Sequence, residues 1–177
     1  DPQNVSILTF IENAADSEIF GIESDLTWQA TENLTLRGAI SFNDTELEAV
    51  DAQIVEIVPV GSELALTPTF QASFRGRYEW DVAADWADFA YVTADAQYTG
   101  DSFSSIVAEE RREQDSYVAG GMSLGMQKEQ WGMELFIDNI GDTRAEVFIN
   151  TQDDIERTTT IRPRTFGVNF SYNHLPF

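Results

Sequence analysis

The sequence predicts an all-β fold, namely a segment of a transmembrane antiparallel β-barrel with about eight strands. Three observations lead to this prediction. Apolar residues alternate with small or polar residues along one segment after another, and helical spacing is not sustained anywhere. The connections between these segments alternate between short and long. Aromatic residues concentrate near the two ends of the apolar faces, as they do at the two surfaces of a membrane.

The last strand shows the alternation most clearly. Every second residue from Phe166 to Tyr172 is apolar or aromatic, and the residues between them are small or polar. A strand with this pattern presents one apolar face and one polar face. The same alternation predicts strands at 20–28, 34–42, 70–80, 90–98, 118–126, 131–137 and 166–172, after a less regular strand at about 5–12.

The connections give the predicted barrel an orientation. Those at 30–33, 81–88 and 127–130 are short or moderate, and those at 47–64, 101–115 and 140–160 are long; the short connection at 13–17 falls on the long side and is an exception. Outer-membrane barrels have short turns on the periplasmic side and long loops outside the cell. The long connections are therefore predicted to be extracellular.

Each predicted strand has two sets of alternating residues, called here the apolar phase and the polar phase. Their composition favours a membrane barrel over a soluble β-sandwich. Through the middle of the strands the apolar phase carries no lysine or arginine, as a lipid-facing surface requires. Individual strands of a soluble sandwich can show the same pattern, so a soluble binding domain stays an alternative; it would remain in solution without detergent. The polar phase carries charges of both signs, at Glu23, Asp25, Arg37, Arg75, Arg77, Asp95 and Glu134.

Aromatic residues in the apolar phase fall into two groups. The first lies at the short-turn ends of the strands and the second near the long-loop ends. β-propensity alone does not explain why three of the four tryptophans lie at the same end of separate strands. We therefore predict a membrane-interface girdle of Trp28, Trp80, Trp131 and Tyr172 on one side and Phe42, Phe70 and Tyr98 on the other.

Composition excludes several classes of function. The 177 residues include 31 acidic and 10 basic side chains, and the net charge of -21 would repel nucleic acid. Without cysteine the chain forms neither disulfides nor thiolate metal sites. The one histidine, His174, lies in the lipid-facing phase without a catalytic partner, so we expect an interface residue there. We expect no catalytic residues, no cofactor and no enzyme activity.

Acidic residues cluster in the predicted extracellular loops. Clustered carboxylates can hold calcium, but none of these clusters has the spaced Asp and Gly pattern of a calcium loop. We therefore expect a solvated anionic surface and no tight metal site. The clusters comprise Asp44, Glu46, Glu48, Asp51, Glu56 and Glu63, then Glu109 and Glu110, then Asp153, Asp154 and Glu156.

Arginines are scarce, so their positions matter. Arg111 and Arg112, in the middle of a long loop, are candidates for binding an anionic ligand or a lipopolysaccharide phosphate. They can equally pair with the acidic residues around them, which are Glu109, Glu110 and Glu113.

Other arginines lie at the rim and on the polar face. Arg162 and Arg164, in the lipid-facing phase at the outer rim, are candidates for contacting lipid head groups, or for snorkelling to water. On the polar face, Arg37, Arg75 and Arg77 lie within cross-strand reach of Glu23, Glu79 and Asp95, and we interpret them as a structural network of the barrel wall.

Four segments resemble a known family, the TonB-dependent receptors of Gram-negative outer membranes. Residues 14–26 resemble the Gly-x-Glu strand of that family after a turn of small residues, and Leu66-Thr-Pro-Thr-Phe70 resembles its Pro-led strand. Leu135-Phe-Ile-Asp-Asn-Ile-Gly-Asp142 resembles its penultimate strand motif, and Arg162-Pro-Arg-Thr-Phe-Gly-Val168 its closing strand. The order and spacing of the four together are specific, and they extend over nearly the whole chain.

The resemblance implies a barrel of about 22 strands, of which residues 1–177 would form the C-terminal portion of about eight strands. The plug domain and the TonB-binding segment of such a receptor would lie outside this sequence. The family's assembly signal, a final aromatic, corresponds to Phe177, although Pro176 breaks the strand phase there. The chain begins Asp1-Pro2 without a basic start, so we expect a processed N-terminus or a piece of a longer protein.

The implied function is active import of a scarce nutrient across the bacterial outer membrane. In that case the partners would be outer-membrane lipids and lipopolysaccharide, the rest of the receptor, TonB through the plug region, and a small-molecule ligand. A ferric siderophore, cobalamin or an oligosaccharide would each fit. The alternative is a self-contained barrel of about eight strands with a structural or adhesive role.

Overall fold

A computed structural model describes residues 15–52, 55–152 and 155–173. The strands are β1 (Ala15–Gln29), β2 (Leu34–Val50), β3 (Phe70–Ala84), β4 (Ala87–Thr99), β5 (Ser102–Phe103), β6 (Glu113–Gln114), β7 (Tyr117–Lys128), β8 (Trp131–Asp138), β9 (Glu146–Gln152), β10 (Ile155–Thr160) and β11 (Thr165–Tyr172). Seven of them form one antiparallel sheet in the order β1-β2-β3-β4-β7-β8-β11. Two small hairpins, β5–β6 and β9–β10, lie outside this sheet. The described residues contain no helix that is long and apolar enough to cross a membrane.

The seven strands predicted between residues 20 and 172 are confirmed; the irregular strand predicted at about 5–12 lies outside the described residues. Three predicted connections, those at 13–17, 47–64 and 81–88, are wrong in extent. Residues 15–17 belong to β1 and residues 47–50 to β2, with a bulge between Asp16 and Ser17. The connection predicted at 81–88 shrinks to a turn of Asp85 and Trp86. The long loops at 101–115 and 140–160 contain the two hairpins.

The apolar face of the sheet is uncovered. The exposed fraction is 72% for Phe166, 70% for Phe170 and 65% for Leu26, all of which lie in the apolar phase. A soluble sandwich would bury such residues against a second sheet about 10 Å away. The described sheet has no second layer on this face, which is the arrangement of a wall that faces lipid.

Most of the buried side chains lie on the long-loop side. Three buried apolar residues lie there, namely Leu47 at the long-loop end of β2, Val58 in the following loop and Ile149 in β9. Four buried polar residues lie on the same side, namely Thr45, Ser104, Gln114 and Asn139. A single-layer wall buries few side chains of its own, here Ala87 and Thr93 of β4, so most of the small core of the described residues lies at the long-loop side.

The sheet is open as described. β1 and β11 are its outer strands, and the described residues of the two do not pair with each other. Each of them therefore presents one edge of unpaired backbone groups, which membrane barrels satisfy by closing.

Candidate functional site

The polar face of the sheet and the long loops beside it hold the candidate functional residues. Strand register places Arg37 of β2 directly opposite Arg75 of β3, and Arg75 opposite Asp95 of β4. Because side chains alternate between faces, all three project from the polar face. This face would line the lumen of a closed barrel, and it is called the inner face below.

A polar network crosses the inner face from β3 to β11. Arg77 Nε lies 2.6 Å from Glu79 Oε1, and the guanidinium carbon of Arg77 lies 3.6 Å from the ring centre of Tyr91. The Tyr91 hydroxyl donates to Glu134 Oε2 at 3.0 Å, and Asn169 Nδ2 donates to Glu134 Oε1 at 3.2 Å. These side chains couple four strands of the sheet, but Arg77 pairs with Glu79 within β3, whereas the sequence predicted contacts of the arginines across strands.

Gly125 of β7 makes this network geometrically feasible. It lies in register between Tyr91 on β4 and Glu134 on β8, so the tyrosine side chain must cross it to reach the carboxylate. A Cβ atom at Gly125 would lie only 2.2 Å from Tyr91 Cζ. Phe136 lies over Gly167 in the same way, with its Cζ 2.2 Å from where a Cβ would be. A glycine inside a strand often marks such a close approach, and this was the signal available in the sequence.

Two arginines of the inner face do not join the network. The expectation of one structural network holds for Arg77, but Arg37 and Arg75 make no ion pair or hydrogen bond with any described residue. Arg75 is near enough to Glu134 for their charges to interact, but the carboxylate takes its hydrogen bonds from other residues.

Arg111 joins two long loops. Its side chain is 19% exposed, and its guanidinium carbon lies 3.6 Å from the ring centre of Phe103. Nη1 donates to the carbonyl of Glu63 at 3.1 Å and to that of Ser105 at 3.3 Å. The loop after β2 is thereby held, at Glu63, against loop 101–116. The Glu63 carboxylate, 3.9 Å away and half exposed, adds little to this contact.

Arg112 joins the same loop to the β9–β10 hairpin. Its Nη1 donates to the carbonyl of Glu109 at 2.9 Å, and its Nε lies 3.5 Å from Glu156 Oε2 on β10. Nearby, Gln114 Nε2 donates to the carbonyl of Glu146 on β9 at 3.5 Å. The three long loops therefore form one connected cluster, which we call the loop cluster.

The predicted binding role of Arg111 and Arg112 stays a prediction, but the structure shows what they contact. Sequence reasoning offered the neighbouring acids Glu109, Glu110 and Glu113 as partners. Instead, the ion pairs go to acids that are distant in the sequence, on the first loop and on β10. Only the folded arrangement of the loops brings these groups together.

The turn after β8 ties the penultimate strand to the closing strand. Asn139, with φ 50°, accepts a hydrogen bond from the Thr143 amide at 2.9 Å and donates to the carbonyls of Thr143 and Arg162, both at 2.9 Å. Asp142, with φ 51°, accepts from the Arg164 amide at 3.0 Å. Asparagine and aspartate are the residues that tolerate this left-handed conformation best after glycine. Two of the four segments that carry the family resemblance, 135–142 and 162–168, are therefore hydrogen-bonded to each other.

The same turn keeps the carboxyl of Asp142 ionised at the rim. The hydrogen bond from the Arg164 amide lowers the pKa of the Asp142 carboxyl from its ordinary value of 3.8, and the charge of Arg144, 3.3 Å away, lowers it further. Arg162 and Arg164 are exposed, and their main chains are fixed while no described residue pairs with their side chains. Their contact with lipid head groups stays a prediction.

The aromatic residues of the predicted girdle are grouped on the apolar face. Phe42 lies opposite Phe70 in register, and the rings of Phe70 and Tyr98 have centres 5.9 Å apart. At the other end Trp131 lies opposite Tyr172, and Trp28 is 57% exposed. Trp80 stacks on Tyr78, two residues away on the same face of β3, with 6.0 Å between the ring centres. The position of these groups at the membrane surfaces stays a prediction.

Carboxylate side chains also lie close together at the long-loop end of β1 and β2. Glu48 shares a hydrogen bond with Glu18, and this contact together with the negative charges of Glu18 and Glu46 raises the pKa of Glu48 above its ordinary value of 4.5. The described residues contain no group of three or more His, Asp or Glu side chains arranged to hold a metal ion. His174, Phe177 and the acidic pair Asp153-Asp154 lie outside the described residues.

No family model matches the chain. Among solved structures it is similar to the ferric yersiniabactin uptake receptor FyuA from Yersinia pestis, at 17% identity and a TM-score of 0.78, covering 92% of this chain and 24% of that one. It is similar to the siderophore receptor PiuA from Acinetobacter baumannii at 17% identity and a TM-score of 0.67, covering 88% and 22% of the two chains. It is also similar to the ferric-catecholate import receptor Fiu from E. coli K12 at 20% identity and a TM-score of 0.68, covering 90% and 21%.

These similarities concern the fold. The chain spans about a quarter of the length of the solved structures that it matches. The described strands have the fold of part of a TonB-dependent receptor β-barrel, as the sequence predicted.

Proposed function

We propose that this chain forms part of the wall and the extracellular loops of a TonB-dependent active importer in the outer membrane of a Gram-negative bacterium. The observation that carries the proposal is the match of 92% of the chain to a receptor barrel, together with the uncovered apolar face of the sheet. A lipid bilayer is the environment in which such a face needs no second layer.

A ferric siderophore is the ligand class we favour over cobalamin or an oligosaccharide. The three similar receptors named above are an uptake receptor for ferric yersiniabactin, a siderophore receptor and an import receptor for ferric catecholate. The loop cluster would take part in capturing the ligand, and the inner face would line the path into the cell. In this proposal the chain performs no covalent chemistry.

The proposal predicts where the complete protein is found and how large it is. Antibodies raised against residues 15–52 should detect, in outer-membrane extracts of the native host, a protein several times larger than the 19.8 kDa of this chain. Deleting its gene should abolish growth on a ferric siderophore as sole iron source, and a copy lacking loop 101–116 should fail to restore that growth. Recovery of the protein from the soluble fraction would contradict the location, and unchanged growth on every siderophore tested would contradict the ligand class.

A self-contained barrel of about eight strands gains no specific support. The seven described strands leave the sheet open, without pairing between β1 and β11. An outer-membrane species of about 20 kDa in the same extracts would nevertheless favour that alternative.

A further inference from the structure

Arg37 and Arg75 form an unusual pair on the inner face. They lie directly opposite each other on β2 and β3, where paired side chains have Cβ atoms about 5 Å apart. Like charges in this position destabilise a sheet. Both side chains are exposed, and neither guanidinium forms a hydrogen bond or an ion pair with the part of the chain that the structure describes.

Arg77, two residues further along β3, shows how a satisfied arginine looks on the same face. It lies 2.6 Å from a carboxylate oxygen of Glu79 and 3.6 Å from the ring centre of Tyr91. The absence of such contacts at Arg37 and Arg75 is therefore specific to this pair and does not reflect a general lack of partners on the inner face.

The pair lines a shallow, open cavity of about 480 Å³ whose walls mix polar and apolar side chains. Asp95 lies opposite Arg75, and Asp25 lies diagonally across from Arg37, but neither carboxylate makes an ion pair with an arginine. Both guanidinium groups thus keep their donors available. The planar guanidinium group of an arginine carries paired N–H donors that match two oxygens of a carboxylate or phosphate group. Two adjacent guanidinium groups match such a group better than one.

We propose that Arg37 and Arg75 together form an oxyanion site on the inner face that binds a carboxylate or phosphate group. The bound group would belong either to a carboxylate side chain of a polypeptide segment that lies against the wall or to a free anion that passes along it. This site follows from the register, the charges and the unpaired guanidinium groups of the inner face, and it does not depend on the ligand class proposed above.

The test measures how fast phenylglyoxal modifies each arginine in the complete, detergent-solubilised protein, by peptide mass spectrometry. Arg144, on the rim with a 60% exposed side chain, is the reference, because its ion pair with Asp142 is exposed to solvent and leaves the guanidinium group open to the reagent. Rates are compared in chloride and in inorganic phosphate of the same ionic strength. We expect phosphate to slow modification of Arg37 and Arg75 by about tenfold relative to Arg144, since a bound anion occupies the reactive guanidinium groups. That result identifies a free anion as the source.

A second result also supports the site and identifies a polypeptide carboxylate as the source. In that case Arg37 and Arg75 react slowly in both salts, and Arg75→Gln lowers the melting temperature whereas Arg144→Gln does not. The proposal is overturned if both arginines react within about twofold of Arg144 in chloride and in phosphate, because an occupied guanidinium group should be protected. It is also overturned if both are slow in each salt but Arg75→Gln leaves the melting temperature unchanged, since they are then shielded without being bound.

Discussion

Gly125 should matter to stability only because Tyr91 crosses it. An alanine there would place its Cβ 2.2 Å from Tyr91 Cζ, 2.4 Å from the hydroxyl and 2.6 Å from Cε1. No real contact is so short, so the ring must move. Tyr91 is only partly buried, and its side chain can therefore swing away from β7 without forcing the strands apart.

The cost of this movement is the loss of the contacts that Tyr91 makes. A hydrogen bond to a charged acceptor such as Glu134 contributes about 1.5–3 kcal/mol. The cation–π contact with Arg77 contributes about 0.5–1 kcal/mol at an exposed site. Alanine returns about 0.5–1 kcal/mol relative to glycine within a strand. Gly125→Ala should therefore lower the free energy of unfolding by about 1–3.5 kcal/mol.

A double-mutant cycle tests the explanation, using urea unfolding of the complete protein in detergent micelles followed by tryptophan fluorescence. In a Tyr91→Ala background, Gly125→Ala should change sign and stabilise the protein by about 0.5–1 kcal/mol. Gly38→Ala is the matched control, because the nearest atom to its added Cβ is the Ser73 carbonyl oxygen at 3.8 Å. An equal penalty for Gly125→Ala with and without the tyrosine would refute the reasoning.

Three further predictions concern the loops. Arg111→Gln should speed hydrogen exchange across loop 101–116 by about tenfold, because charge-assisted hydrogen bonds to the neighbouring loop are lost; unchanged exchange would show that the loops hold together without it. Asn139→Ala should destabilise the protein by about 2–4 kcal/mol, and Asn139→Gly by less, since glycine loses the hydrogen bonds but keeps the left-handed conformation without strain; equal melting temperatures would contradict this. The pKa of Asp142 in the folded state lies below its ordinary value of 3.8. The contribution of the ionised carboxyl to the free energy of unfolding is therefore fully present above pH 3.8, and it is lost as the pH falls through the folded-state pKa. Protection of the Arg164 amide should follow that titration, and Asp142→Asn should remove the pH dependence.

The strands could be predicted from sequence because the wall is a single layer. When one face of every strand meets lipid and the other meets polar surroundings, the period-two pattern is complete in each strand. The pattern failed where that contrast ends. Residues 43–50 of β2 are polar in both phases or mixed, yet they continue the strand because they still pair with β1. Beyond the apolar belt, backbone hydrogen bonds maintain the sheet without any requirement for an apolar face.

The contacts of the candidate site were less predictable. The partner of Arg77 is two residues away along one strand, and alternation alone places both on the same face. Glu63 and Glu156, by contrast, are brought to Arg111 and Arg112 by loops whose paths follow from no local rule. Tyr91 and Glu134 meet only because strand register aligns β4, β7 and β8 with a glycine between them.

The two loop arginines differ in how available they are to a ligand. Arg111 is 19% exposed, lies on the Phe103 ring and bonds to two carbonyls, so an anion that recruits it must separate two loops. The ion pair between Arg112 and Glu156 has both side chains about half exposed, and such pairs contribute about 0–1 kcal/mol. An anionic group can therefore replace Glu156 at little cost. Because Glu156 lies on β10, the replacement would also loosen the contact of the β9–β10 hairpin with the loop cluster. An anion bound at Arg112 would weaken the attachment of this hairpin by no more than the contribution of that ion pair, about 0–1 kcal/mol, because Gln114 Nε2 still donates to the carbonyl of Glu146 on β9.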